Sequence, residues 1–187
     1  GVTLVGILDA DRGLFGTDFR SLEQMGQLVT QVAGRAGRAE RAGEVLIQTR
    51  NPDHELLRLL ISEGYDAFAR ALLRERQEAQ LPPYAHVALL RAESPDRGES
   101  QSFLRYTSDR IRRMLDQQLS SGAVMVFGPV VAPMERVGGR FRYQLLLQSA
   151  ERKHLNAVLT HLRHELETDK KARKVRWSID VDPVDFF

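Results

Sequence analysis

No cysteine occurs in the chain, which removes disulfides, thiolate metal sites and cysteine nucleophiles together. There is no apolar run of about 18 or more residues and no secretion signal, so nothing reads as a membrane span or an exported leader, and a cytoplasmic protein is the expectation. Lysine is scarce, with only Lys153, Lys170, Lys171 and Lys174. Arginine therefore supplies most of the 27 basic residues set against 25 acidic ones, and the net charge is only +2. An arginine excess follows from a GC-rich genome as readily as from nucleic-acid binding, and clustering is what separates the two. The phosphate loop Gly-x-x-x-x-Gly-Lys-Ser/Thr is missing, and no Asp-Glu pair at a strand end takes the place of a magnesium-binding element. The chain by itself is not expected to hydrolyse ATP.

What is present is organised around Gln31-Val32-Ala33-Gly34-Arg35-Ala36-Gly37-Arg38. Arginine offers a planar, permanently charged fork of donors, and Gly34 and Gly37 leave the backbone bare enough to approach a phosphate. A helical path through the segment puts Gln31, Arg35 and Arg38 on one face, at spacings of four and three. The same composition also fits a solvated Ala/Gly/Arg-rich helix end.

The chain has 187 residues, 42 % of them hydrophobic, which suffices for one large or two small cores. Val2 to Leu8 reads as a buried parallel strand leading into Asp9-Ala10-Asp11, and its abrupt start suits a piece of a longer polypeptide. Asp18 is placed to cap a helix carrying Leu22, Met25, Leu28, Val29 and Val32 at helical spacing, and Glu44 to Thr49 makes a second strand. Strand, helix, strand is one parallel crossover, whose ligands gather at loops along one sheet edge. Asp53 is expected to cap a helix that stops at Gly64, and a second helix runs from about Tyr65 to Gln80. Pro82-Pro83 denies helix, so a domain over 1–80 is expected to give way to another over 84–187.

The second domain predicts strand (His86 to Ala92), helix (about Gly98 to Leu119), strand (Val124 to Val131), strand (Arg140 to Gln148), helix (Glu151 to Leu166) and strand (Lys174 to Val181). The expected fold is thus an α/β segment followed by an α+β domain with the β-α-β-β-α-β split crossover. Helices are expected on one sheet face, with the other open. Phe141, Tyr143, Leu145 and Leu147 alternate with Arg140, Arg142, Gln144, Leu146 and Gln148. Val175, Trp177, Ile179 and Val181 alternate with Lys174, Arg176, Ser178 and Asp180. With the apolar sets inward, Arg140, Arg142, Lys174 and Arg176 face solvent, joined by Arg136 in the Gly138-Gly139 hairpin. These cations form either a nucleic-acid patch or an ordinary soluble sheet face. Tyr84 and Phe127 are expected to be used in core packing rather than in base stacking. No metal site is expected: His154, His161, His164 and Glu165 sit on the polar side of a helix and read as a solvated face.

The octet resembles the last motif, Gln-x-x-Gly-Arg-x-Gly-Arg, of superfamily 2 helicases. That resemblance implies Arg38 as an arginine finger, Arg35 as a second phosphate or inter-motif contact and Gln31 as a positioning residue, in a reaction where such a finger lowers the barrier by several kcal/mol. Four further passages extend the likeness across nearly the whole chain: Val2 to Asp11; Gly64-Tyr65-Asp66-Ala67-Phe68 with Leu81-Pro82-Pro83-Tyr84; Gly138 to Gln148; and Trp177-Ser178-Ile179-Asp180-Val181-Asp182-Pro183. Together they resemble the bacterial primosomal replication-restart helicases. The resemblance implies the tail of a second motor lobe followed by a C-terminal domain that helps bind branched or single-stranded DNA. It also implies ATP and magnesium in a full-length member, with neither held stably by this chain, a zinc region lying outside it, and single-stranded-DNA-binding protein and other primosome proteins as partners. A protein-docking module without enzymatic activity, on a helicase-derived base, is the alternative.

Overall fold

The computed structural model describes residues 4–16, 18–35, 43–117, 123–184 and 186, and the chain divides into two compact units, Gly1–Ala79 and Gln80–Phe187. In the first unit, β1 (Leu4–Ile7) and β2 (Glu44–Ile47) pair in parallel with Ile7 opposite Ile47. Between them lie α1 (Asp11–Leu14) and α2 (Ser21–Ala33), and after them α3 (Glu55–Glu63) and α4 (Tyr65–Glu78). Ile7, Met25, Val29, Leu57, Leu60 and Phe68 form one core, with Val45 and Ile47 packed against it. Gly26 sits inside α2, where glycine costs about 1 kcal/mol relative to alanine. A Cβ there would lie 2.3 Å from Cε1 of the fully buried Phe68, so the close approach of α2 to α4 requires the missing side chain.

Three local expectations change. The strand expected to be buried throughout has one covered side only, since Leu4 and Leu46 remain 55 % and 53 % exposed. Asp18 does not cap α2; its carboxylate accepts from the Arg20 amide at 2.8 Å in the turn before the helix, and Arg20 holds the cap position. His54, not Asp53, precedes α3, and the Asp53 carboxylate is engaged by Arg58 instead.

At the carboxyl ends of β1 and β2, Asp11 accepts from the Thr49 hydroxyl at 2.6 Å, the Arg50 amide at 2.9 Å and the Asn51 side chain at 3.2 Å. One carboxylate thereby ties the start of α1 to the loop after β2.

The second unit is the split crossover: β3 (His86–Ser94), α5 (Arg97–Gln117), β4 (Met125–Val137), β5 (Arg140–Ser149), α6 (Arg152–Thr168), a 3-10 turn (Ala172–Lys174) and β6 (Arg176–Val181). The sheet order is β4-β5-β3-β6, with every neighbouring pair antiparallel. Phe103, Leu104 and Ile111 of α5 and Leu155, Leu159 and Leu162 of α6 share one core with Leu90, Leu145 and Leu147. The opposite face, expected to be open, is closed at one end: Val87 and Leu89 are each 1 % exposed and Gln148 5 %. The segment before β3 reaches this end, for Gln148 donates to the Gln80 carbonyl, and the Asp182 amide extends the β3–β6 ladder by donating to Val87 O at 2.9 Å. Pro183 and Phe186 in the same tail are buried.

β4 is longer than its pattern predicted and shifts register between Phe127 and Val130 and again between Val131 and Arg136. Gly128, at φ +100, permits the first shift, since a Cβ would lie 3.0 Å from Val130 N and 3.1 Å from Gln144 O.

The Asp11 clasp has a definite pH signature. The Thr49 hydroxyl first, then the Arg50 amide, hold the Asp11 carboxyl below its ordinary value. A depressed folded value means that the stabilisation is complete above about pH 4 and is lost as pH falls through the folded value. Asp11→Asn should therefore lower the thermal midpoint at pH 7, with the gap to the parent closing below about pH 4. A gap that stays constant in stepwise pH melts would show that the carboxylate charge contributes nothing.

Candidate functional site

Of the octet, Gln31 lies in the last turn of α2 with an exposed side chain. The helix ends at Ala33, so Arg35 follows in a turn, its amide donating to Val32 O at 3.0 Å. The shared helical face expected for Gln31 and Arg35 is therefore interrupted, and Arg38 lies outside the described residues. Both described side chains are exposed and free to approach a ligand from solvent.

In the second unit the register sorts the five candidate cations. Arg142, Glu93 and Arg176 stand in one row across β5, β3 and β6, on the face turned away from the helices. Arg176 pairs with Glu93 at 3.3 Å while remaining 77 % exposed, a geometry worth about 0–1 kcal/mol. In the next row Arg91 pairs with Asp180 at 2.6 Å. Arg140 and Arg142, both half-buried, have no hydrogen-bond or ion-pair partner among the described residues. Arg91, Glu93, Arg142, Arg176, Trp177 and Ser178 line a depression of about 370 Å³ on this region of the sheet.

Two of the five residues lie elsewhere. Arg136 is inside β4 opposite Phe141, a position shared with the core-facing set, and its guanidinium stacks 5.1 Å from the Phe141 ring. Lys174 ends the 3-10 turn before β6 begins at Arg176, so it takes no part in the strand's alternation. The expected patch therefore reduces to Arg140, Arg142 and Arg176 around Glu93. Sequence reasoning missed Glu93 because its importance depends on β3 lying between β5 and β6, a long-range pairing that local spacing does not contain. It also placed Tyr84 and Phe127 in the core, whereas they are 37 % and 47 % exposed.

The outer faces of α5 and α6 hold a separate polar cluster. Arg110 pairs with Glu165 at 2.6 Å and Asp169 at 3.2 Å. Tyr106 donates to Asp169 at 2.8 Å, and Lys171 lies 4.0 Å from the Tyr106 ring centre. His161 reaches Glu165 at 3.3 Å, but Glu165 is already engaged by Arg110. Among the described residues no three His, Cys, Asp or Glu side chains gather in a way that could hold a metal ion. Burial pushes the Asp169 carboxyl up, yet the Tyr106 hydroxyl, the Lys171 amide and Arg110 outweigh it and hold the group below its ordinary value.

Fold and site together define an α+β domain with a split crossover and an arginine-bearing sheet face, following a small parallel α/β unit in the sequence. The family model described as the primosomal protein N C-terminal domain matches residues 77–184, more than half of the chain, and the chain belongs to that family. It is 40 % identical over 185 residues to the replication restart protein PriA of Haemophilus influenzae, covering 98 % of this chain and 24 % of that protein. The protein of the same name from Bacillus subtilis is 34 % identical over 182 residues, covering 97 % of this chain and 22 % of that protein. The one from Chlamydia pneumoniae is 36 % identical over 187 residues, covering 100 % and 24 %. The chain thus spans about a quarter of the length of these curated relatives.

The Asp169 cluster joins α5 to the end of α6. Asp169→Asn should lower stability at pH 7 by roughly 1–3 kcal/mol, as for the loss of charged hydrogen bonds. Urea unfolding measures it, and a change below about 0.5 kcal/mol would assign the cluster to solvated surface charge.

Proposed function

We propose that this chain is the C-terminal part of an ATP-dependent DNA helicase of replication restart, and that its second unit binds branched or single-stranded DNA through the arginines of the sheet. Membership of the primosomal family supports the setting. The observation that carries the DNA reading is the pair Arg140 and Arg142, which alternate outward on one strand with no partner among the described residues. Guanidiniums left unneutralised beside a shallow depression suit phosphate contacts, which are additive and salt-dependent. Arg176 contributes once it is released from Glu93.

In this reading Gln31, Arg35 and Arg38 complete an ATP site whose phosphate loop and magnesium ligands belong to another lobe. The residues of this chain do not themselves fit ATP, because exposed Gln31 and Arg35 have no phosphate loop to work against. Single-stranded-DNA-binding protein and other primosome proteins are the partners that accord with the setting. No described helix is long and apolar enough to cross a membrane.

Two measurements test the proposal. For forked DNA, the slope of log affinity against log salt should become shallower by about 1.5–2 units in the Arg140→Ala/Arg142→Ala variant. Glu93→Gln, assayed alongside, should instead bind more tightly at low salt. An unchanged slope would remove this face from the DNA interface and favour a protein-docking module. Separately, the chain alone should release no phosphate from ATP above an Arg38→Ala control, with or without DNA. DNA-stimulated release above that control would overturn the assignment of the nucleotide loop to another lobe.

A further inference from the structure

Phe127 breaks the rule that a large apolar residue in a strand is buried. It lies on β4, an edge of the sheet, directly opposite Leu146, while Met125 stands opposite Gln148 and Val130 opposite Gln144. All three share the face turned away from the helices, and they are 43 %, 47 % and 53 % exposed in the order Met125, Phe127, Val130. The register shift at Gly128 separates Phe127 from Val130 without moving either to the other face. An unneutralised cation lies on the same face as this strip. Arg142, without a partner among the described residues, stands beyond Gln144 on β5 of the same face.

A ring and two apolar side chains on the same face as an unpartnered guanidinium match a partner that is itself alternately flat, apolar and anionic. Single-stranded nucleic acid has that chemistry: its bases expose π faces, its phosphates need neutralising, and base stacking on an aromatic side chain is tolerant of sequence. In a duplex the base faces are already occupied by their neighbours. We infer that β4 is a base-stacking platform for single-stranded nucleic acid, with Phe127 as the stacking residue. This rests on the DNA-binding reading of the same sheet and deepens it, because it makes the unpaired strand, rather than the duplex arms of a branch, the element that β4 engages.

The test compares an oligothymidine of about 16 nucleotides with an abasic oligomer of equal length and charge. Both are titrated into the 187-residue chain at fixed salt by fluorescence anisotropy. The oligothymidine should bind about tenfold more tightly than the abasic strand. Phe127→Ala should abolish most of that preference and Phe127→Trp should keep it, with the salt slope unchanged in both. Because Phe127 is half-exposed, neither substitution should alter the far-ultraviolet circular dichroism. Equal binding of the two oligomers by the parent, or a preference that survives in Phe127→Ala, overturns the stacking role. The cation reading then still stands if Arg140→Ala/Arg142→Ala weakens both oligomers. Absence of binding to either oligomer and to forked DNA overturns both readings, and leaves the apolar strip to a protein partner.

Discussion

The second unit depends on the double pairing of β5. That strand is hydrogen-bonded to β4 along one side and to β3 along the other, so its register cannot slip without breaking two ladders at once. A slip of one residue would also exchange Tyr143, Leu145 and Leu147, all at most 3 % exposed, for the arginines and glutamines between them. The cost of burying the guanidiniums of Arg140 and Arg142 against the helices locks the alternation. Everything else on the sheet inherits its orientation from this strand, including which arginines meet solvent and which residue of β3 stands beside them.

That inheritance sets the electrostatics of the exposed face. A row of Arg142, Glu93 and Arg176 is not a uniform cationic surface. The carboxylate between two guanidiniums neutralises one of them, and the remaining positive charge is concentrated toward β5. A charge count along the sequence overstates the field available to an anion, because it weights paired and unpaired arginines equally. The smaller field still has direction, since its unpaired members come from one strand and project the same way.

Much of this was readable from the chain in order. Period-two alternation marked β5 and β6, the stripe of Leu155, Val158, Leu159 and Leu162 marked α6, and their succession gave the split crossover. Features created by distant segments were not readable. Nothing local to Val87 or Leu89 announces that they are buried on the face turned away from the helices, and nothing local to Glu93 announces its neighbours. Backbone detail within one or two residues also escaped: α2 stops at Ala33 and β6 starts after Lys174, which separates side chains that ideal periodicity would align. Phe127 was misread for a third reason. Hydrophobicity predicts burial on average, but an edge strand leaves one side of each residue without a neighbour to be buried against.

The two irregularities in β4 have a consequence for self-association. An edge strand with its outer hydrogen-bonding groups available and six large apolar residues exposed, from Met125 to Val137, is the usual template on which copies of a protein stack into fibrils. Here the ladder is interrupted between Phe127 and Val130 and again between Val131 and Arg136, and Arg112 occupies the Val126 carbonyl. A second edge could match only a few residues before falling out of phase. The chain can thus present apolar side chains at a sheet margin while denying another molecule the continuous backbone pairing that would make aggregation cooperative.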